Sequence, residues 1–148
     1  IRDSAVILSA HPPSGKAYDT ELIRIPAKQR HAGRYHIDLI FIVGSYLILC
    51  ELKGKSSESG DDICKLRDLA SDYTFDELIQ FISKRVNRTD IDWASVSQVV
   101  SAIGVAVCDV EIPADFVTFV ASTDDIQVIV GAEVKRSEAV RSALSTVF

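Results

Sequence analysis

Residues 36 to 54 read HIDLIFIVGSYLILCELKG, two apolar runs meeting at Gly44-Ser45, and they restrict the fold more than any other stretch. Charged residues interrupt the runs only at Asp38, Glu51 and Lys53. Runs rich in Ile, Leu, Val, Tyr and Phe that are apolar at successive positions predict central strands buried on both faces. Gly at the first central position of a two-residue loop suits a tight hairpin of the II′ type. With Val43 opposite Tyr46, the register runs outward to place Asp38 opposite Glu51 and His36 opposite Lys53. The Asp38–Glu51 rung is then a non-hydrogen-bonded pair, where Cα atoms come within about 4.5 Å. Alternation puts Glu51 and Lys53 on one face, beside Asp38. Two carboxylates opposed on a buried sheet repel and are costly. A divalent cation removes that cost, so the pattern predicts a metal site with a lysine next to it.

An acid-x-base triplet also arises by chance on solvated strand faces. A solvated strand, however, alternates polar with apolar residues, whereas 37–43 and 47–52 are apolar except at the carboxylates. The functional reading is therefore preferred over an ordinary charged face.

Asp38, followed by Glu51-Leu52-Lys53 at the end of the next strand and then by a predicted helix, resembles the PD-(D/E)xK nuclease superfamily of restriction-endonuclease-like folds. The resemblance covers roughly residues 18 to 73, half the chain; Ile37 stands where the family name carries a proline, a loosely kept position. It implies that Asp38, Glu51 and the backbone carbonyl of Leu52 ligate Mg2+ or Mn2+. It also implies that Lys53 orients or deprotonates the attacking water. The family core opens with a helix that often adds an acid. Here the Pro-rich opening leaves that helix in doubt, with Glu21 as the candidate replacement and Asp19 and Asp3 behind it; an ordinary edge-strand charge is the simpler account of Glu21.

A chain of 148 residues with 47% hydrophobic and 25% charged content is expected to form one domain with a full core. Because it starts at Ile1, it is expected to be a processed chain or a nuclease-like domain cut from a larger protein. No apolar stretch is long enough for a membrane helix and no signal peptide is visible. Cys50, Cys64 and Cys108 lack metal or disulfide spacing and are expected to be buried, reduced thiols of a cytoplasmic protein. A net charge of −5 counts against a simple nucleic-acid-binding module. The basic residues are nonetheless concentrated: Arg24, Lys28, Arg30 and Arg34 fall in a segment without acids that leads into the Asp38 strand. Together with His36 they are candidate phosphate contacts. Each taken alone reads equally well as a solvated loop charge, and His36 equally well as a partly buried imidazole on a carbonyl.

Along the chain, HPPSGK is a loop and TELIRIPAK a first strand, followed by the hairpin. Ser59/Asp62 and Thr74/Glu77 mark two helix starts, and Thr89/Asp92 a third helix carrying Trp93, Val96, Val99 and Ile103. GVAVC, DFVTFVAS and IQVIVGAEV read as strands, the last two joined at Thr123-Asp124-Asp125. Residues 136–147 read as a terminal helix. Lys65 projects toward the hairpin if its helix packs there; otherwise it pairs with Asp61 or Asp62 on a solvated face. The order predicts an α/β domain, a mixed central sheet whose β-hairpin carries the site, flanked by helices.

The function expected from the resemblance is a Mg-dependent endonuclease hydrolysing DNA phosphodiester bonds, with specificity from loops, another domain, a second copy or a partner subunit. The rival expectations are a non-catalytic regulatory or assembly domain on the same fold, binding nucleic acid or protein, and an interaction domain whose motif is accidental.

Overall fold

Gly44 takes φ +57°, the left-handed region a two-residue hairpin loop requires at its first central position. Around it Val43 pairs with Tyr46 and the register runs to Leu39 opposite Cys50, as predicted. The computed structural model of the chain describes residues 6–10, 23–28, 34–86 and 88–120. They form a mixed α/β fold: strands β1 (Val6–Ala10), β2 (Arg24–Pro26), β3 (Arg34–His36), β4 (Leu39–Val43) and β5 (Tyr46–Lys55), helices α1 (Gly60–Asp72) and α2 (Phe75–Arg85), then β6 (Gln98–Val107) and β7 (Val117–Val120). Five strands make one sheet in the order β1-β4-β5-β6-β7, and β2 with β3 makes a second, two-stranded sheet. β1–β4 and β4–β5 are antiparallel; β5–β6 and β6–β7 are parallel. The β5–β6 crossover carries both helices, as a parallel connection requires.

The hairpin is apolar throughout because both of its faces are buried. Ile40, Ile42, Leu47 and Leu49 join Ile103 and Val105 in a core with Leu66 and Leu69 of α1 and Leu78 and Ile82 of α2. On the alternate positions Leu39, Phe41, Val43, Ile48 and Cys50 are equally inaccessible. Each such side chain contributes about 1.5–3 kcal/mol of burial free energy.

Four expectations are corrected. The first strand is not TELIRIPAK but β1, within AVILSA, and the RIP segment pairs with β3 instead of joining the large sheet. The Asp38 strand is not continuous from His36: β3 ends there, Asp38 is a bend, the β4–β5 ladder stops at Leu39–Cys50, and His36 pairs with Arg24 and not with Lys53. The third helix is absent from the described residues. After a single 3-10 turn at Trp93–Ser95 the chain enters β6, which starts six residues before the predicted GVAVC strand. The apolar spacing in 96–103 satisfies a helix, but the β-branched Val and Ile side chains fit a pleated sheet, and the open edge of β5 takes them along ten residues. Finally, Cys50 is buried but Cys64 and Cys108 are exposed. IQVIVGAEV, the turn at Thr123 and the helix at 136–147 lie outside the described residues.

Candidate functional site

α1 places a charged end over the hairpin. Its inward stripe is Asp62, Leu66, Leu69 and Asp72, two leucines bracketed by two buried carboxylates. Leu66 and Leu69 anchor the helix on the sheet, which carries Asp62 and Lys65 to the end of the face that bears Glu51 and Lys53. At the other end Asp72 accepts the Lys28 N–H at 3.0 Å and the Tyr35 hydroxyl at 2.8 Å, tying α1 to the small sheet. The predicted helix start is in place, but Ser59 does not cap through its side chain. Its hydroxyl donates to the Ser56 carbonyl instead. Thr74 and Glu77 form the full reciprocal capping box of α2.

In the hairpin register the next hydrogen-bonded rung beyond Leu39–Cys50 would join Leu52 to Ile37. The bend removes that rung, and Asp38 Oδ2 accepts the Leu52 N–H at 2.9 Å in its place. The Asp38 carboxyl thus terminates the ladder from the side. It also comes within hydrogen-bonding reach of the Glu51 carboxyl. Glu51 is 2% exposed. Burial, then the hydrogen bond to Asp38 and its charge, push the Glu51 carboxyl up to about 8, against the opposing pull of Lys65. Burial beside Asp38 thus favours the protonated form of Glu51, which lessens the repulsion expected between the two carboxylates.

The lysines divide between two acids. Lys65 Nζ lies 2.7 Å from Glu51 Oε1 and donates to the His36 carbonyl at 2.8 Å. Lys53 Nζ lies 3.3 Å from Asp62 Oδ2, and the Asp62 charge holds the Lys53 ammonium above the usual lysine range. Glu51 Oε1 and Asp62 Oδ2 are buried with counter-charges nearby but at angles that make no hydrogen bond. Each of the two oxygens is thus held by an ion pair.

A divalent ion would find two carboxylates and a carbonyl here. Leu52 directs its N–H to Asp38, and a strand residue presents its N–H and C=O to the same edge, so its carbonyl faces the Asp38 side as well. Hard oxygens of this kind suit Mg2+ or Mn2+, which keep several waters of their own. Among the described residues no group of three or more His, Cys, Asp or Glu side chains could hold a metal, so the protein's side-chain donors would be two.

The predicted basic platform is only partly at this place. Lys28 is not near the pair. It ion-pairs with Glu77, stacks over the Tyr73 ring at 4.6 Å and sits at the Asp72 end of α1, about 15 Å along the helix from Asp62. Arg24 and His36 are exposed and face each other across β2–β3, and the His36 carbonyl connects this strand to Lys65. Arg34 lies in β3, its side chain outside what is described; Glu21, Arg30, Asp19 and Asp3 lie outside the described residues altogether. Asp62 is the site residue that sequence reasoning assigned elsewhere, to the start of α1 and to a solvated pairing with Lys65. Its spacing from Leu66 and Leu69 marks it as inward-facing.

Comparison of the chain with protein-family models, with curated proteins and with solved structures finds no match in any of the three.

Proposed function

We propose that the chain is a metal-dependent endonuclease of restriction-endonuclease-like fold, acting on DNA in the cytoplasm, with Asp38 and Glu51 as its carboxylate ligands. One observation carries the reading: two carboxyls within hydrogen-bonding reach, one of them nearly inaccessible, at the hairpin end that also presents Lys53. An otherwise apolar hairpin has no structural need for that arrangement, since apolar side chains there would pack without the desolvation cost. Asp38, Glu51 and the Leu52 carbonyl would hold Mg2+ or Mn2+. Bound there, the ion supplies Lewis acidity, activating water and neutralising charge on the scissile phosphate and the leaving oxygen.

The protein's own groups do the rest. Lys53, held as an ammonium by Asp62, orients the attacking water and stabilises charge that develops on phosphate; its ion pair favours this role over proton abstraction. Arg24 and His36, exposed on the strand pair beside the site, contact the phosphate backbone. Specificity then comes from loops, a second copy or a partner subunit. The five-stranded mixed sheet with its β5–α1 unit is compatible with this fold.

The second reading, a non-catalytic domain on the same fold, draws on a different observation. The contacts run Asp38–Glu51–Lys65–Asp62–Lys53, alternating acids with the two lysines beyond Glu51, so the charges are already largely compensated. Incubation with plasmid DNA and Mg2+ or Mn2+ separates the two. Wild type should nick or linearise the plasmid, and Lys53→Ala should lose most cleavage at saturating DNA while still binding metal. No cleavage by wild type with either ion on supercoiled, linear or single-stranded DNA would favour the non-catalytic domain.

A further inference from the structure

Lys65 has no part in the chemistry above, yet its ammonium is the most heavily engaged group of the site. Oxygens from three separate elements converge on it: Glu51 Oε1 from β5 at 2.7 Å, the His36 carbonyl from β3 at 2.8 Å and Asp62 Oδ1 from α1 at 3.9 Å. That is a cation held by oxygens, and one of the three is the buried carboxylate oxygen a divalent ion would take. Two cations cannot share that oxygen at contact distance without strong mutual repulsion in a site this shielded from water.

We propose that Lys65 is a resident counter-cation: it balances the remaining charge of the Asp38–Glu51 pair while no metal is bound, and its ammonium must leave Glu51 before a divalent ion can bind there, so that Lys65 sets the metal affinity. The inference rests on the metal-site reading of the hairpin. The exchange needs no movement of the backbone. α1 is anchored by Leu66, which is fully buried next to Lys65, while the Lys65 side chain is 29% exposed and has four rotatable bonds. A destination is already at hand, because Asp62 Oδ1 stands within ion-pair distance. Rotation toward Asp62 or solvent frees Glu51 and keeps Lys65 positioned above the site. Lys53 is the natural contrast, since the acid in contact with its ammonium is Asp62.

The test is Mn2+ binding to the full chain, read by electron paramagnetic resonance and by calorimetry, for wild type, Lys65→Met, Lys65→Arg, Lys53→Met and Asp38→Asn/Lys65→Met. Met keeps the length and apolar stem of Lys without its charge. Lys65→Met should tighten Mn2+ binding on the order of tenfold or more, the gain expected from removing a like charge at contact distance. Lys65→Arg should stay near wild type, Lys53→Met should change affinity less than Lys65→Met, and adding Asp38→Asn should cancel the gain. Melting in EDTA checks the fold: Lys65→Met should lower Tm there and regain more than wild type on adding Mn2+. Wild type that binds Mn2+ with Lys65→Met equal or weaker would overturn the resident-cation role while leaving the metal site standing. If neither wild type nor Lys65→Met binds Mn2+, the metal reading falls, and the inference with it.

Discussion

Glu51 is the residue whose behaviour most directly reports the state of the site. Its carboxyl is raised to about 8 from an ordinary 4.5, chiefly by burial and then by Asp38. Between those values the folded chain keeps a proton that the unfolded chain releases. Stability of the metal-free protein should therefore fall as pH rises through that window and level off above about 8. Glu51→Gln, which retains the shape and can donate to Asp38 at every pH, should flatten that part of the curve. Thermal melts in EDTA from about pH 5 to about pH 9 test this; parallel wild-type and variant curves would show that the pair does not share a proton. At this scale the candidate acids were legible, since Asp38 and Glu51 are the only acids in the paired apolar runs. The rung-by-rung partners were not. Asp38 reaches Glu51 from a bend, with its carboxyl on the Leu52 N–H, because the chain turns away at Ile37–Asp38 into a different sheet.

Among the elements, α2 is the one whose start is written locally: the Thr74 hydroxyl accepts from the Glu77 N–H and the Glu77 carboxylate accepts from the Thr74 N–H. Thr74→Ala should cost about 1 kcal/mol, seen as a lower denaturation midpoint with unchanged slope. The capping signal at Ser59 marks the right place for α1, yet the hydroxyl serves the preceding 3-10 turn. The pattern at Thr89/Asp92 fails altogether. Short polar spacings of this kind recur by chance, and they prevail only where no sheet edge competes for the backbone. β5 offers such an edge on the side away from β4, and satisfying its N–H and C=O groups outweighs a helix built on Val and Ile.

For the molecule as a whole, opposed carboxyls in the metal-free state predict that a divalent ion stabilises the fold by mass action. Millimolar Mn2+ should raise Tm, and above about pH 8, where Glu51 has lost its proton, Asp38→Asn should raise Tm in EDTA while shrinking the metal response; superimposable melts with and without metal would identify the motif as accidental. No described helix is long and apolar enough to cross a membrane. The class of fold and the centre of the sheet could be read from the chain itself, because a hairpin apolar on both faces and closed by Gly44-Ser45 has one register that keeps its charges together. Local chemistry suffices for such features: alternation, turn conformation and capping act within a few residues. What the tertiary structure decided is how distant segments meet. It laid α1 across the hairpin so that Asp62 and Lys65 complete the charge cluster, sent Lys28 to the far end of that helix, and gave β6 to the free edge of β5. Those outcomes follow from the burial of Leu66 and Leu69 and from unpaired backbone groups seeking partners, interactions between segments far apart in sequence to which no local pattern is sensitive.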